Sequence, residues 1–421
     1  MLSFKSLAAS TAIAAALITP FSAQAVTAGT GAWSGQQTWA ADSVNGGNLT
    51  GYFYWPSSTT TKNGQRALIL VLHGCNQTAT NDVINGSDGG YNWAATAENT
   101  GAVILAPNAT GNVYSNHCWD YANTSPSRSS GHVGILLDLI SRFKGNSSYS
   151  IDPNQVYVTG LSSGGGMTMV MGCIAPDIFA GMGINAGPTP GTTTGQIGTV
   201  PSGYTSANAA SICKGWAGSN SGSFNTQITN AVWGTSDFIV AQGYGPIATA
   251  AMRSIYGGSY TKGSTFTVSG GSGNGTGTPY TDANGHLRTT EISVSGMSHA
   301  WPAGPGGQNT NYVDNTRINY PVYITGFWWA NNLRVGSGGT TTTTAGGGTT
   351  TTAHTTTTTT VAGACYNTSN YTHVTAGRAH DSGGTAYANG SNQNMGLDNT
   401  FYTTKLRFKS TNYYVIDSTC P

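Results

Sequence analysis

The chain predicts an α/β fold, a mostly parallel sheet with helices on both faces, followed by a smaller, mainly β unit. Three observations carry this. Short apolar runs recur at 67–72, 102–106, 155–159, 179–184 and 228–233, with an alternating run at 290–294. Helical patterns lie at 91–98, 132–143, 165–173 and, near the end, 323–331; continuous apolar strands spaced by helices indicate parallel strands covered on both sides. At 336–363 the composition changes abruptly to threonine and glycine tracts that could bury no core. Residues 27–335 are therefore expected as one α/β unit and 336–363 as a linker that β-branched Thr keeps extended. Residues 364–421 follow as a second unit. It is too small for a large core, so Cys365 and Cys420 at its two ends read as a staple. Turn residues such as Asn367, Asn370 and Asn389-Gly390 alternate there with short Tyr- and Val-containing runs, which predicts mainly β structure.

Only 7% of the residues are charged and the net charge is +1, which excludes an electrostatic footprint for nucleic acid or an acidic membrane surface. The polar, weakly charged surface and the 21 Tyr and 10 Trp suit contact with an insoluble neutral solid. Residues 1–25 read as an export signal: Lys5, an apolar stretch at 7–20, then Ala23-Gln24-Ala25 as a small-x-small cleavage site. The stretch is too short to span a membrane. Export to an oxidising compartment makes the six cysteines disulfide candidates. No C-x-x-C pair is present, so a thiolate zinc site is not expected; the hydrolytic mechanism read below implies no metal or organic cofactor.

The most informative stretch is 156–173. A β-branched run ends at Gly160, then Gly160-Leu161-Ser162-Ser163-Gly164 leads into small and unbranched residues that suit a helix. This is G-x-S-x-G between strand and helix, the nucleophile turn of the α/β-hydrolase fold. Glycines flank Ser162 because a Cβ there would strike the neighbouring strand or helix. A serine nucleophile needs a base and an orienting acid, normally in the chain order Ser, Asp or Glu, His. Between Ser162 and the linker lie only His286 and His299. His286 sits in the hairpin-turn sequence Asp282-Ala283-Asn284-Gly285-His286, whereas His299 follows the last strand, where a base belongs. The acid is to be chosen among Asp177, Asp237, Asp282 and Glu291; Asp237 alone lies just past the strand preceding the His-bearing one. Ser163 and Cys75, in the loop His73-Gly74-Cys75-Asn76 after the first buried strand, are the expected oxyanion-hole N–H donors. Cys75 with Cys118, and Cys173 with Cys213, is one pairing among several; the linker argues only for Cys365 with Cys420.

Leu72-His73-Gly74-Cys75, Gly160-Leu161-Ser162-Ser163-Gly164-Gly165, Gly234-Thr235-Ser236-Asp237 and Gly296-Met297-Ser298-His299-Ala300-Trp301-Pro302 together resemble the extracellular polyhydroxyalkanoate depolymerases of the poly(3-hydroxybutyrate) type. In that family these segments carry the oxyanion donor, nucleophile, acid and base. The threonine-rich linker is a variant known there, and residues 373–379 and 388–397 look like the family's polymer-binding domain. The resemblance implies a secreted serine esterase that cleaves an insoluble polyester through an acyl-enzyme, with no nucleic-acid or membrane partner. A monomer is expected. Related catalytic domains occur in feruloyl and acetyl-xylan esterases, which makes a cell-wall esterase with a carbohydrate-binding module the alternative. Trp301 and Trp119 are expected to wall the substrate cleft. In the terminal unit Tyr366, Tyr371, Tyr387, Tyr402, Tyr413 and Tyr414 could stack on polymer, with His373, Arg378 and Asn392 as polar candidates on the same face.

Overall fold

The computed structural model describes residues 26–335 and, in the C-terminal unit, 364–375, 378–382, 385–397, 403–410 and 413–420. The leader and linker expected at 1–25 and 336–363 lie outside the described residues, as does Tyr402.

Among the described residues three strands come first: β1 (Ala32–Trp33), β2 (Gln37–Ala41) and β3 (Asn48–Trp55). Strands and helices then alternate as β4 (Arg66–Leu72), α1 (Trp93–Thr100), β5 (Val103–Pro107), α2 (Gly131–Gly145), β6 (Ile151–Leu161) and α3 (Ser163–Ile174). They continue as β7 (Gly181–Asn185), α4 (Ser206–Ala217), β8 (Ile228–Gly234) and α5 (Tyr244–Tyr256). After β9 (Tyr260–Lys262) and β10 (Phe266–Val268), a hairpin joins β11 (Gly275–Asp282) to β12 (Leu287–Val294). The short pair β13 (Trp301–Pro302) and β14 (Val313–Asp314) precedes α6 (Tyr320–Asn331).

The sheet runs β1-β3-β5-β4-β6-β7-β8-β12-β11-β10, with β2 on β3 and β9 on β11. Its centre, from β5 to β12, is parallel, and both margins are antiparallel. The two-residue period of a strand sends Leu68, Leu70 and Leu72 to a core shared with α2, α3, α4 and α5. Ala67, Ile69 and Val71 go to a core on the opposite face, shared with α1 and α6. Hence β4 reads as an unbroken apolar run: neither face meets water. This is an α/β-hydrolase sheet. Parallel strands with right-handed crossovers bring all their carboxyl ends to one rim.

Helices α4 and α5 and the antiparallel margins lay beyond the sequence reading. Helix α4 has a weak apolar stripe in Ser206-Ala207-Asn208-Ala209-Ala210; its start is set instead by a capping box between Thr205 and Asn208.

The C-terminal unit comprises β15 (Cys365–Ser369), α7 (Asn370–Thr375), β16 (Ala379–Ser382), β17 (Thr385–Ala388), β18 (Asn394–Leu397), β19 (Thr403–Ser410) and β20 (Tyr413–Ile416). Two three-stranded antiparallel sheets, β15-β19-β20 and β16-β17-β18, enclose a small core that includes Ala386, Met395, Leu406 and Phe408. A disulfide joins Cys365 to Cys420 across the unit. The remaining cysteines pair as Cys75–Cys118 and Cys173–Cys213, which resolves the alternatives left open by the sequence.

Candidate active site

Strand β6 ends at Leu161 and α3 begins at Ser163, leaving a single residue to turn the chain. Ser162 takes φ 60° and ψ −118°, a conformation costly for any side-chain-bearing residue. It is held there from both sides: its N–H donates to the Asn185 carbonyl at 2.9 Å, and its carbonyl accepts the Gly166 N–H at 2.8 Å. The turn fits only because its neighbours lack side chains. A Cβ on Gly160 would lie 2.6 Å from the Leu72 carbonyl oxygen, and one on Gly164 only 2.3 Å from the same atom.

His299 follows β12 and Asp237 follows β8, the adjacent parallel strand. Their side chains meet across 62 residues: His299 Nδ1–H donates to Asp237 Oδ2 at 2.8 Å, and both are buried. The other carboxylate oxygen, Oδ1, accepts the backbone N–H groups of Ile239 and Val240 at 2.9 Å each. These donors fix the carboxylate plane. The carboxylate fixes the imidazole tautomer in turn, leaving Nε2 as the proton acceptor. The competing acids are engaged elsewhere: Asp177 pairs with Arg128 at 2.7 Å, Asp282 with His286 and Arg288, and Glu291 with Arg253 at 3.1 Å. His286 occupies the β11–β12 hairpin turn, largely in solvent.

Ser162 and His299 line one cavity of about 200 Å³, together with Cys75. The Gly74–Cys75 peptide is immobilised there. Gly74 N–H donates to Gln77 Oε1 at 2.8 Å, and the Gly74 carbonyl accepts from His73 Nδ1 at 2.7 Å and from the Gln77 N–H at 3.3 Å. In a trans peptide the N–H points opposite to the C=O. Holding the Gly74 carbonyl on one side therefore aims the Cys75 N–H to the other, on the cavity-lining residue. Ser163, first residue of α3, has an N–H that the helix cannot satisfy. Neither N–H is taken by a hydrogen bond among the described residues. The Cys75 loop is further tied to the 113–118 segment by the Cys75–Cys118 disulfide and by the Asn76 N–H donating to the Asn116 carbonyl at 2.8 Å.

The arrangement could carry out serine ester hydrolysis, and the comparisons give an esterase family. The family model described as esterase PHB depolymerase matches residues 51–256. A poly(3-hydroxybutyrate) depolymerase of Ralstonia pickettii is 57% identical over 96% of this chain and 96% of its own. The chain belongs to the PHB depolymerase family of esterases. Another relative, a poly(3-hydroxyalkanoate) depolymerase C of Paucimonas lemoignei, is 30% identical over 68% of this chain and 67% of its own. A feruloyl esterase B of Talaromyces stipitatus is 32% identical, but over only 32% of this chain and 35% of its own.

As a member of this family the chain is a carboxylic ester hydrolase. Several substrate-binding expectations need correction within it. Trp301 and Trp119 do not wall the cleft; both are fully buried. Trp301 stacks on Tyr91 with ring centres 4.6 Å apart and donates Nε1–H to the Tyr91 carbonyl at 3.1 Å. Trp119 lies between the His73 and His132 rings. Rings of this size gain most from full burial, and loops beside the sheet offered it. In the terminal unit His373 is buried too, its Nε2 bonded to the Thr404 carbonyl at 2.8 Å and its Nδ1 accepting from Arg378 Nε. His373 braces the unit from within and faces no polymer. Arg378 is half-buried, its guanidinium 4.6 Å above the Tyr366 ring. Asn392 is an exposed turn residue at φ 58°.

The sequence reading named His73 and Gly74 but missed what Gln77 and Asn185 do. Gln77 holds the Gly74–Cys75 loop and is itself held by the Tyr91 hydroxyl at 2.5 Å. Asn185 supplies the carbonyl that fixes Ser162. The available signal was position: Asn185 ends β7, the strand beside the nucleophile strand.

Proposed function

We propose that Ser162, His299 and Asp237 hydrolyse the ester bonds of poly(3-hydroxybutyrate) through an acyl-enzyme. His299 Nε2 takes the Ser162 hydroxyl proton as Oγ attacks the ester carbonyl. The Cys75 and Ser163 N–H groups receive the oxyanion, and collapse of the tetrahedral intermediate breaks the bond to the alkoxy oxygen. His299 protonates that oxygen as the leaving chain's hydroxyl, then activates water to release the acyl fragment as a hydroxyacid. Asp237 steadies the imidazolium formed in each half. The observation carrying this reading is the cavity that gathers Ser162, His299 and Cys75 above the Asp237–His299 pair.

The polyester substrate is supported by the 57% identity that spans nearly the whole Ralstonia enzyme. The likeness to a feruloyl esterase covers about a third of either chain. The C-terminal unit, which presents exposed Tyr413 and Ile416 on β20, serves as the polymer anchor. Tethering raises the effective concentration of the catalytic unit at an insoluble surface. The protein acts outside the cell.

Mass spectrometry of material released from poly(3-hydroxybutyrate) film should show hydroxyacid monomers or oligomers. Ser162→Ala should release none yet adsorb to the film as wild type does. Turnover by that variant close to wild type removes Ser162 from the mechanism.

A further inference from the structure

At the carboxyl rim of the sheet one row of register partners runs Leu161, Asn185, Val232 across β6, β7 and β8. Leu161 and Val232 belong to the core shared with α1 and α6, as do Met297, Ala300 and Trp301 from the segment around His299. An apolar side chain would suit the middle of that row. The chain places an asparagine there, fully buried, whose Oδ1 accepts no hydrogen bond among the described residues. A buried amide left half-satisfied is a cost to stability, and such departures from local fit gather where function demands them.

Two of the bonds Asn185 makes reach the residues of the proposed reaction. Its main-chain carbonyl accepts the Ser162 N–H at 2.9 Å, and its side-chain Nδ2–H donates to the carbonyl of Ala300, the neighbour of His299, at 3.3 Å. Other ties of the His299 segment run elsewhere. The Ser236 N–H donates to the Met297 carbonyl at 2.9 Å and the Gly296 N–H to Thr235 Oγ1 at 2.8 Å, which binds the segment to the loop carrying Asp237. The Trp301 N–H donates to the Tyr312 carbonyl at 2.9 Å. Among the described residues, the Asn185 amide alone hydrogen-bonds the 295–301 segment to β6, β7 or the turn between β6 and α3. We infer that Asn185 is a positioning residue that holds His299 within reach of the Ser162 hydroxyl, its main chain gripping the nucleophile turn and its side chain the base loop. The inference rests on the reading of Ser162 as nucleophile and His299 as base. It accounts for the polar choice: an apolar side chain would fill the row but leave the base loop without a bond to the nucleophile's side.

The test uses the full chain with Asn185→Leu and Asn185→Ala, each alone and combined with His299→Ala, assayed on a soluble p-nitrophenyl ester. The main-chain bond to Ser162 survives either change. For Asn185→Leu, kcat should fall about tenfold to a hundredfold with KM within about twofold of wild type. Its thermal midpoint should be unchanged or raised, because the unsatisfied acceptor leaves with the amide. Asn185→Ala adds no bulk, so it guards against leucine overpacking the row, and it should show the same drop in kcat. In the His299→Ala background neither change should lower the residual turnover further, since a residue acting through His299 has nothing left to position. An equal loss in that background overturns the inference. A loss that only tracks the amount of folded protein, or that lies in KM, overturns it too. Wild-type turnover by His299→Ala alone sinks the reading of the base and this inference together; a crippled His299→Ala beside Asn185 variants that match wild type sinks this inference alone.

Discussion

His73 shows how one buried side chain can act on the reaction without touching substrate. Burial pushes its imidazole down to about 4, so the ring is neutral while the protein is folded. Its partners fix the tautomer: Nδ1–H donates to the Gly74 carbonyl, and Nε2 accepts the Ala109 N–H at 3.1 Å. The bond to Gly74 orients the peptide whose N–H, on Cys75, is the proposed oxyanion donor. Losing a donor outright typically costs about 3 kcal/mol of transition-state stabilisation. Letting the peptide drift should cost less. His73→Leu should lower kcat about tenfold to a hundredfold with little change in KM, and His73→Asn, which can still donate near the Nδ1 position, should recover part of it. Steady-state kinetics on a soluble ester decide this. A second consequence is thermodynamic. The folded-state value lies below the ordinary 6.5, so the unfolded chain takes up the proton first as pH falls. Stability present above pH 6.5 is lost progressively down to about pH 4, by roughly 3 kcal/mol at most from this group. Thermal unfolding of wild type should show that decline, and His73→Leu should show a shallower one.

At the scale of elements, the site depends on how closely β4, β6 and α3 approach. The turn after β6 brings Gly160 and Gly164 against the Leu72 carbonyl at the end of β4, and Gly165 against the Asn185 carbonyl at the end of β7. The loop at Gly74–Cys75 and the turn at Ser162 are thereby fitted backbone to backbone. Gly164→Ala, whose Cβ would lie 2.3 Å from the Leu72 oxygen and 2.6 Å from that of His73, has no side chain to displace. It should destabilise the protein by about 2 kcal/mol or more and remove most activity, read by denaturant unfolding and soluble-ester turnover. Gly215→Ala, in α4 with nothing within 4 Å of the added Cβ, should instead be neutral or stabilise by up to about 1 kcal/mol. The Cys75–Cys118 bridge adds a covalent tie to the same loop. Closing 43 residues, it is worth about 4 kcal/mol if chain entropy dominates.

For the whole molecule, the proposal assigns chemistry and surface attachment to separate units. The hydrolase unit owns every residue in the proposed reaction. The terminal unit, with its small core and its Cys365–Cys420 staple, is the proposed polymer anchor. Deleting residues 336–421 should therefore reduce erosion of solid film far more than hydrolysis of short soluble esters. Comparing the two rates tests the division of labour, and equal losses would refute it.

Much of this could be read along the chain because it is local. Strands buried on both faces spell continuous apolar runs, so the parallel centre of the sheet was legible. The nucleophile turn is a five-residue pattern whose glycines answer to contacts within a few residues or on the next strand. His299 and Asp237 were legible by place, since a parallel sheet brings every strand's carboxyl end to one rim. What folding alone settled is non-local. Which of the four cysteines in the first unit pair, and whether Trp119, Trp301 and His373 face substrate or core, depend on contacts between distant segments. An aromatic in a loop carries no periodic signal of burial. A large ring is placed wherever the packed layers leave room for it, and here that was beneath the site and not around its opening.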